Sequence, residues 1–480
     1  MIRVKRYLLF LCFSLALSGA LMLESINSVR ALSLVNYITV AGETTDLAPL
    51  NGNNNNANVN RLGGFGSDFY YDRDRNVYYG LADRGPGGGT IGYNTRVQKF
   101  SLNVDPDSGE ISNFKLLKTI LFKQPDGTNF NGFSPELDPE NGNPRVQGRS
   151  LDPEGFVVSP LGSFYVSDEY GPSIYEFSSS GVFIRAFQIP DNLLPKDSQG
   201  NLNFSTGPAL TNDPIVSGRQ ANRGFEGLSI SPNGKKLFAM LQDPLINEGR
   251  DDQGNPSGSY SRNLRLVEFD TATGRSRAQY VYQLESIADI NSRVPNAPFK
   301  LSSQGINIGV SAMTALNNHE LLVLERDNRG LGVGDPTSLN PPVSTKRIYK
   351  IDLRGATDIS NISLTDTNDL PSDVQPVSKS TSPLIDIAAT VQASGQLVPE
   401  KTEGLAIGPQ LADGSYAVIV GTDNDFSITQ NSSGTQFDVC TGSTQVTIDS
   451  GCPVGQTLIP TYIYSFKVSA KELQGFRPRL

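Results

Sequence analysis

Five short hydrophobic runs of this chain each end in an aspartate, and three of these runs follow an acidic residue paired with glycine. The aspartates are Asp83, Asp168, Asp243, Asp327 and Asp423. The pairs are Glu154-Gly155, Glu226-Gly227 and Glu403-Gly404, each followed by an apolar run and a turn such as the one at 231–234. Carboxylates that recur at matching positions are suited to sharing hard metal cations if the fold brings them together.

The elements that must position these acids are predicted to be β-hairpins, repeated along the chain. A hairpin folds back on itself, so the residue that opens its first strand and the one that closes its second lie at the same end. If the hairpins stand in a ring, the glutamates and aspartates gather on one rim.

A third alternating run follows every hairpin, and a fourth follows several of them. The third runs begin at Arg96, Ser173, Leu264, Lys346 and Thr461, and the fourth at Phe114, Val182 and Ala278. The chain has 47 Gly and 30 Pro that punctuate these runs, which is typical of an all-β protein. Four antiparallel strands per unit predict a β-propeller, with five blades favoured and six as the alternative.

The last unit lacks a fourth strand, and the run from Ser33 to Val40 is predicted to supply it and close the ring. The repeats are longer than the ~40–50 residues that a bare blade needs. The excess lies in polar insertions predicted to be surface loops, at 123–150, 190–222, 247–261, 330–345, 358–400 and 427–458.

The first 31 residues are predicted to be a secretory signal peptide, with a basic start followed by an apolar run at 7–23. The alternative is a retained anchor, because this run approaches the ~17 residues at the short end of spanning length. Residues 32–62 are then an N-terminal strand and an Asn-rich linker, and residues 63–480 the propeller domain. The protein is expected to be secreted or periplasmic, a monomer, and without a membrane span after processing.

The formal net charge of −9 disfavours nucleic acid as a partner and favours metal cations. In an exported protein, Cys440 and Cys452 are predicted to form one local disulfide that staples a surface loop. His319 is the single histidine, in a turn at the opposite end from the acids. A Ser-His-Asp triad and a His-ligated zinc site are therefore improbable.

The predicted metal ligands are the acids that the ring would collect. They are Glu154, Asp168, Glu169, Asp243, Glu325, Asp327 and Asp423. Packed like charges stay ionised only if cations neutralise them, and Ca²⁺ suits oxygen-only ligands in an exported protein. The alternative for each aspartate is a structural one, because an Asp at a strand end often caps a turn.

Three arginines adjoin this predicted rim. Arg84 and Arg223 are predicted to bind substrate, and Arg326 to act in catalysis with Glu226 and Glu403. Arginine recognises phosphate or carboxylate in a bidentate manner, although ion pairs within the rim are an equal alternative. Lys401 is read as a solvated side chain.

Four segments carry a family resemblance. They begin at Asp152 (DPEGFVVSPLGSFYVSDEYGPSIYEF), Asn222 (NRGFEGLSISPNGKKLFAMLQDP), Glu320 (ELLVLERDNRG) and Lys401 (KTEGLAIGP). Together they resemble the phytase-like family of exported proteins, also labelled "esterase-like activity of phytase". The resemblance implies phosphate-ester or ester hydrolysis. The shared positions are Glu154, Asp168, Glu169, Glu226, Asp243, Glu325, Asp327 and Glu403.

The function expected from these observations is Ca²⁺-dependent hydrolysis of a small phosphate ester by a metal-activated water. Two alternatives stay open: a non-catalytic ligand-binding propeller, and a Ca²⁺-dependent lactonase or esterase. Propellers host all three, so the fold does not choose among them.

Overall fold

The computed structural model describes residues 34–49, 60–138, 142–207, 214–338, 342–365, 368–442 and 444–478. The predicted signal peptide and most of the Asn-rich linker lie outside these ranges. Within them, no helix has both the length and the apolar character needed to cross a membrane.

The main secondary structure of the described chain is a set of short antiparallel strands, arranged in five successive units. Strand β1 is Leu34–Val40. Sheet 1 has β2 (Asp68–Asp72), β3 (Val77–Leu81), β4 (Arg96–Val104) and β5 (Ile111–Leu121); sheet 2 has β6 (Pro153–Val158), β7 (Phe164–Asp168), β8 (Ser173–Phe177) and β9 (Phe183–Ala186). Sheet 3 has β10 (Phe225–Ile230), β11 (Lys236–Leu241), β12 (Asn263–Asp270) and β13 (Arg275–Gln283), followed by helix α1 (Ile287–Arg293).

The remaining units are less regular at their outer edges. Sheet 4 has β14 (Ile308–Ala315), β15 (Glu320–Asp327) and β16 (Lys346–Asp352), with two short strands, β17 (Ser378–Lys379) and β18 (Ile385–Asp386), both paired to β16. Helix α2 (Ile387–Ala393) follows. Sheet 5 has β19 (Thr402–Gln410), β20 (Tyr416–Thr422) and β24 (Thr461–Val468).

Strand β1 completes sheet 5 by pairing antiparallel with β24, from Tyr37 opposite Tyr464 to Val40 opposite Thr461. The predicted closure by the N-terminal strand is therefore confirmed. The first strand of each sheet contacts the first strands of both neighbouring sheets, so that β2, β6, β10, β14 and β19 form a closed inner ring. The chain is a β-propeller, and the described residues form five such sheets around its axis.

The core is divided among the sheet interfaces rather than gathered in one centre. Five large clusters of buried apolar side chains fill the interfaces between sheets 1 and 2, 2 and 3, 3 and 4, 4 and 5, and 5 and 1. Residues of all five inner strands also line an axial cavity of about 100 Å³, which Phe476, Arg477 and Pro478 border at one end. Each repeat thus buries its own apolar faces against its neighbours.

The prediction that the insertions are surface loops is partly wrong. The insertion at 427–458 contains a separate three-stranded sheet, β21 (Ile428–Gln430), β22 (Gln436–Cys440) and β23 (Thr444–Thr447). Its polar and glycine-rich composition hid these short strands. The predicted disulfide is confirmed, since Cys440 is bonded to Cys452. The insertion at 358–400 likewise holds β17, β18 and α2.

Candidate functional site

Four of the five inner strands change register near their start, as at a β-bulge, and the residue skipped at each shift is polar. These residues are Glu154, Glu226, Ser311 and Glu403. A bulge leaves one residue out of the ladder and re-aims its side chain. The three glutamates converge, because both Glu226 and Glu403 raise the pKa of Glu154 electrostatically.

The glycine that follows each glutamate permits close packing of the sheets. A Cβ at Gly155 would lie 2.4 Å from Leu228 Cβ, and one at Gly404 would lie 2.9 Å from the ring of Phe69. Any side chain there would push neighbouring inner strands apart. In each Glu-Gly pair, the glutamate therefore places a carboxylate toward the propeller axis, and the glycine allows the neighbouring sheets to pack closely.

One group of acids, which we name the Glu154 cluster, joins the ends of β6 and β7. Ligand atoms of Asp152, Glu154 and Glu169 all lie within 4.8 Å of one another, and all three residues are buried. Burial raises the pKa of Glu154 well above its ordinary value, and the carboxylates around it raise it further. Burial also raises the pKa of Asp152 to about 7, against the opposing effect of Arg84. Among the described residues, Arg84 pairs with Asp152 and Arg223 with Glu169, whereas Glu154 has no ion pair.

A second group, the Lys401 cluster, comprises Asp83, Asp423, Asp425 and Lys401 at sheets 1 and 5. Its three carboxylates also have ligand atoms within 4.8 Å of one another. The Lys401 ammonium lies 3.2 Å from Asp423 Oδ2 and 2.5 Å from Asp425 Oδ1. The interpretation of Lys401 as a solvated side chain was wrong, because its ammonium is paired with these acids.

The three predicted arginines connect neighbouring sheets across the rim. Arg84 donates to Asp152 at 2.8 Å, and Arg326 donates to Ser311 at 2.8 Å and to Glu403 at 2.7 Å. Arg223 lies 2.9 Å from Asp243 and 3.4 Å from Glu169. Each guanidinium thus already makes an ion pair, which was the stated alternative to a role in substrate binding.

At the acidic rim, Glu226 Oε2 and Asp243 Oδ1 are buried carboxylate oxygens without a hydrogen-bond partner among the described residues. Burial, followed by the nearby Glu169 and Glu403 carboxylates, raises the pKa of Glu226 well above its ordinary value. Burial also raises the pKa of Asp243 to about 6, in opposition to Arg223. Buried acceptors without donors are rare in proteins and indicate a missing partner.

Two of the predicted metal ligands, Asp168 and Asp327, cap turns. Asp168 accepts from the backbone N–H of Asp152 at 2.8 Å and of Gly171 at 2.9 Å. Asp327 accepts from Ser344 Oγ at 2.6 Å and pairs with Lys346 at 2.9 Å. The structure does not bring either into a carboxylate cluster, because the oxygens of both accept from these turns.

Glu325 departs most from its predicted place on the rim. Its carboxylate accepts from the Tyr282 hydroxyl, from Lys379 and from the Glu285 N–H, in the interface between sheets 3 and 4. Successive side chains of a strand point to opposite faces, so Glu325 and Arg326 diverge. The arginine reaches the rim and the glutamate does not.

The Glu154 cluster fits a hard cation by the chemistry of its donors. All its donors are carboxylate oxygens, which suit Ca²⁺, and the leading influences on the Glu154 pKa are burial and other carboxylates. The Lys401 cluster fits less well, because Lys401 pairs with Asp423 and Asp425, and the third acid, Asp83, accepts from the Gly85 N–H.

A protein-family model described as "Phytase-like: Esterase-like activity of phytase" matches residues 60–426. The chain belongs to the Phytase-like family. An uncharacterized secreted protein of Arthroderma benhamiae is 31% identical over 316 residues, which make up 56% of this chain and 59% of that protein. The chain therefore spans less than two thirds of that relative's length.

Solved structures similar to this Phytase-like chain are remote in sequence. A calcium-binding protein, regucalcin, from Agrobacterium tumefaciens is 8% identical, with a TM-score of 0.31, and the match covers 92% of this chain and 95% of that protein. Kuenenia stuttgartiensis hydrazine synthase is 11% identical, with a TM-score of 0.28, and the match covers 78% of this chain and 80% of that protein. Likeness at this level carries no argument about function.

Sequence reasoning missed Asn222 in this Phytase-like chain. Its side chain accepts from Arg84 and donates to Glu169, and so links a substrate-binding candidate to the Glu154 cluster. Its backbone is left-handed, with φ of 52°, a region that asparagine tolerates better than most residues. The Asn-Arg-Gly sequence at 222–224 was the available signal, since it reads as a turn beside Glu226.

Proposed function

We propose that this protein is an exported, Ca²⁺-dependent hydrolase of phosphate esters, acting at the acidic rim of the propeller. The observation that carries the proposal is the Glu154 cluster, a buried, all-oxygen group of carboxylates with arginines at its edge. Membership of the Phytase-like family and a secreted relative support the hydrolytic and exported parts.

In this proposal Asp152, Glu154 and Glu169 hold the cation. When bound, Ca²⁺ supplies positive charge that lowers the pKa of a water and neutralises phosphate oxygens. Arg84 and Arg223 lie beside these ligands and orient the phosphate. Arg326, held by Glu403, stabilises the charge that develops on the phosphoryl oxygens.

Glu226 is suited to proton transfer. Burial and neighbouring acids raise its pKa well above the usual range, which favours the protonated carboxyl that a general acid requires. In the proposed reaction, water attacks phosphorus, the bond from phosphorus to the ester oxygen breaks, and Glu226 gives its proton to the departing alcohol. The products are inorganic phosphate and an alcohol.

Carboxyl-ester or lactone hydrolysis is the second candidate, because the family description itself names an esterase-like activity. The same cation and arginines would then polarise a carbonyl rather than bind a phosphate. The presence of three arginines at the rim favours the phosphate ester, since a dianion makes fuller use of them.

The test combines calcium titration of the chelated protein with three substrates: para-nitrophenyl phosphate, para-nitrophenyl acetate and a simple lactone. We expect calcium binding and phosphate release from the first substrate, and a loss of both by about 100-fold or more in Glu154→Gln. The exposed-site variant Glu110→Gln serves as control and should behave as the wild type. Turnover of the acetate or lactone alone would support the esterase, and calcium binding without any turnover would support a binding protein.

A further inference from the structure

One fully buried arginine belongs to neither carboxylate cluster. Arg219 is 0% exposed and lies in the insertion that precedes β10. Burial lowers its pKa to about 10, against the opposing influence of the Glu169, Asp168 and Glu136 carboxylates. In the part of the chain that the structure describes, Arg219 makes no ion pair. A buried cation without a paired anion is costly unless hydrogen bonds to other groups compensate it.

Backbone carbonyls supply these hydrogen bonds to Arg219. Its Nε lies 3.0 Å from the Tyr170 carbonyl oxygen and 2.8 Å from that of Gly171, and Nη2 lies 2.6 Å from the former. Its Nη1 donates to the carbonyls of Ser205 and Gln220, at 3.3 Å and 3.2 Å. The planar guanidinium therefore joins the turn after β7 to the insertion that precedes β10.

The peptide group between Tyr170 and Gly171 lies between two buried charges. Its carbonyl accepts from Arg219, and its N–H donates to Asp168 Oδ2 at 2.9 Å. The C=O and N–H of a trans peptide point in opposite directions, so a cation on one side and an anion on the other both fix its orientation. Arg219 and Asp168 thus stabilise the same turn without touching each other.

This turn carries Glu169, one of the three acids of the Glu154 cluster. The segment that begins at Arg219 runs alongside the turn. A Cβ at Gly224 would lie 2.3 Å from the Glu169 carbonyl oxygen, and Arg223 reaches the Glu169 carboxylate at 3.4 Å. Arg219 therefore anchors both the turn that bears the acid and the segment that brings Arg223 to it.

We propose that Arg219 is a positioning residue that holds Glu169 and Arg223 in place for cation binding. The inference rests on the proposed function and adds to it a residue that touches neither the cation nor the substrate. Without these donors, the Tyr170 and Gly171 carbonyls would be buried without partners, which is costly. The turn would then shift to expose them, and Glu169 would leave the cluster.

The substitution Arg219→Lys tests this role because it keeps the positive charge and removes the planar set of donors. Calorimetric titration of the chelated full protein should show calcium binding weakened by about tenfold, as for other groups that orient a metal ligand from outside. Arg265→Lys is the matched control. Arg265 is 2% exposed and donates to Glu248 and Gln279, so this variant should lose stability but keep the calcium affinity.

Hydrogen exchange of the chelated protein gives a readout that needs no calcium. The backbone amides at 169–171 all donate hydrogen bonds at this turn. Arg219→Lys should speed their exchange by about tenfold, whereas Arg265→Lys should not change it. If Arg219→Lys does not fold, Asp168→Asn removes the charge on the other side of the same peptide and should speed the same exchange.

Faster exchange together with weaker calcium binding would support the positioning role. Unchanged exchange would overturn it, and so would faster exchange with unchanged calcium affinity, which would leave Arg219 with a structural role only. A wild type that binds no calcium would reject the proposed function. The exchange at 169–171 would then decide alone whether Arg219 holds Glu169 in place.

Discussion

The Glu154 cluster and the Lys401 cluster occupy the same rim but are neutralised differently. Both hold three carboxylates with ligand atoms within 4.8 Å of one another. In the Lys401 cluster an ammonium from the chain lies among the acids. In the Glu154 cluster, Arg84 lies 2.8 Å from Asp152 and Arg223 lies 3.4 Å from Glu169, but among the described residues Glu154 itself makes no ion pair or hydrogen bond. A metal site is therefore better recognised by a buried acid that no protein group pairs with than by its number of acids.

The difference in neutralisation between the two clusters comes from one position of the repeat. Two residues before the bulge glutamate, sheet 5 has Lys401 and sheet 2 has Asp152. The same backbone geometry thus places a cation in one sheet and a further anion in the other. We expect this single position to decide which cluster requires an external cation.

The largest expected effect is on stability, from Lys401→Met. Removing the ammonium leaves three buried or half-buried carboxylates uncompensated, which should lower the free energy of unfolding by about 3 kcal/mol. Calcium should restore part of this loss, because the variant cluster then resembles the Glu154 cluster. Thermal unfolding with and without calcium measures both effects. An unchanged unfolding temperature in chelator would show that Lys401 does not hold the cluster together.

The next effect concerns calcium affinity. Glu154→Gln should weaken calcium binding by about 100-fold, whereas Asp425→Asn in the Lys401 cluster should change it by less than about threefold. Glu154→Gln should also stabilise the chelated protein, since it removes one of several repelling acids. Calorimetric titration of the two variants makes the comparison. Similar losses in both would mean that the two clusters do not differ in the way described.

The pH dependence of stability should distinguish the clusters further. Burial raises the pKa of Asp152 and of Asp423 to about 7 in the metal-free protein. Because these values exceed the unfolded one, the stability they contribute is present below about pH 4 and is lost as the pH rises through about 7.

The unfolding temperature of the chelated protein should therefore fall by a few degrees between about pH 5 and pH 8. Calcium should remove the part of the fall due to Asp152 and leave the part due to Asp423. Unfolding curves at several pH values, in chelator and in calcium, provide the measurement. If calcium abolished the whole pH-dependent fall of the unfolding temperature, this result would mean that calcium binds at both clusters.

The smallest expected effect is that of Asn222. Asn222→Asp replaces the amide that donates to Glu169 with a carboxylate, and should reduce calcium affinity by a few-fold through repulsion. Asn222→Gly keeps the left-handed backbone and removes only the bridge, so its effect should be smaller. Calcium titration of both variants distinguishes the effect of the added charge on calcium affinity from the effect of losing the bridge. Their unfolding temperatures serve as a control for folding.

The alternating runs and their turns were sufficient to predict most of the fold. The third and fourth runs of the repeats correspond to observed strands, and the run from Ser33 to Val40 became β1. The short strands β21–β23 were not predicted, because a strand of three to five residues in a polar, glycine-rich stretch has too little periodicity to stand out.

The site was predicted only in part. Hairpin geometry places a residue at the correct end of a sheet, and so it located Glu154, Glu226 and Glu403. It does not say which face of the strand the side chain occupies, and Glu325 was misplaced for this reason. Hairpin geometry also does not show which acids already accept hydrogen bonds from nearby turns, as Asp168 and Asp327 do.

The pairing of β1 with β24 also has a consequence for biosynthesis. The partners lie at 34–40 and 461–468, so sheets 1 to 4 are synthesised between them. Sheets 1 to 4 pair only with residues near them in sequence and can form while the polypeptide is still emerging. Closure of the ring requires β24, and until β24 is synthesised the unpaired edge of β1 can form hydrogen bonds with strands of other chains.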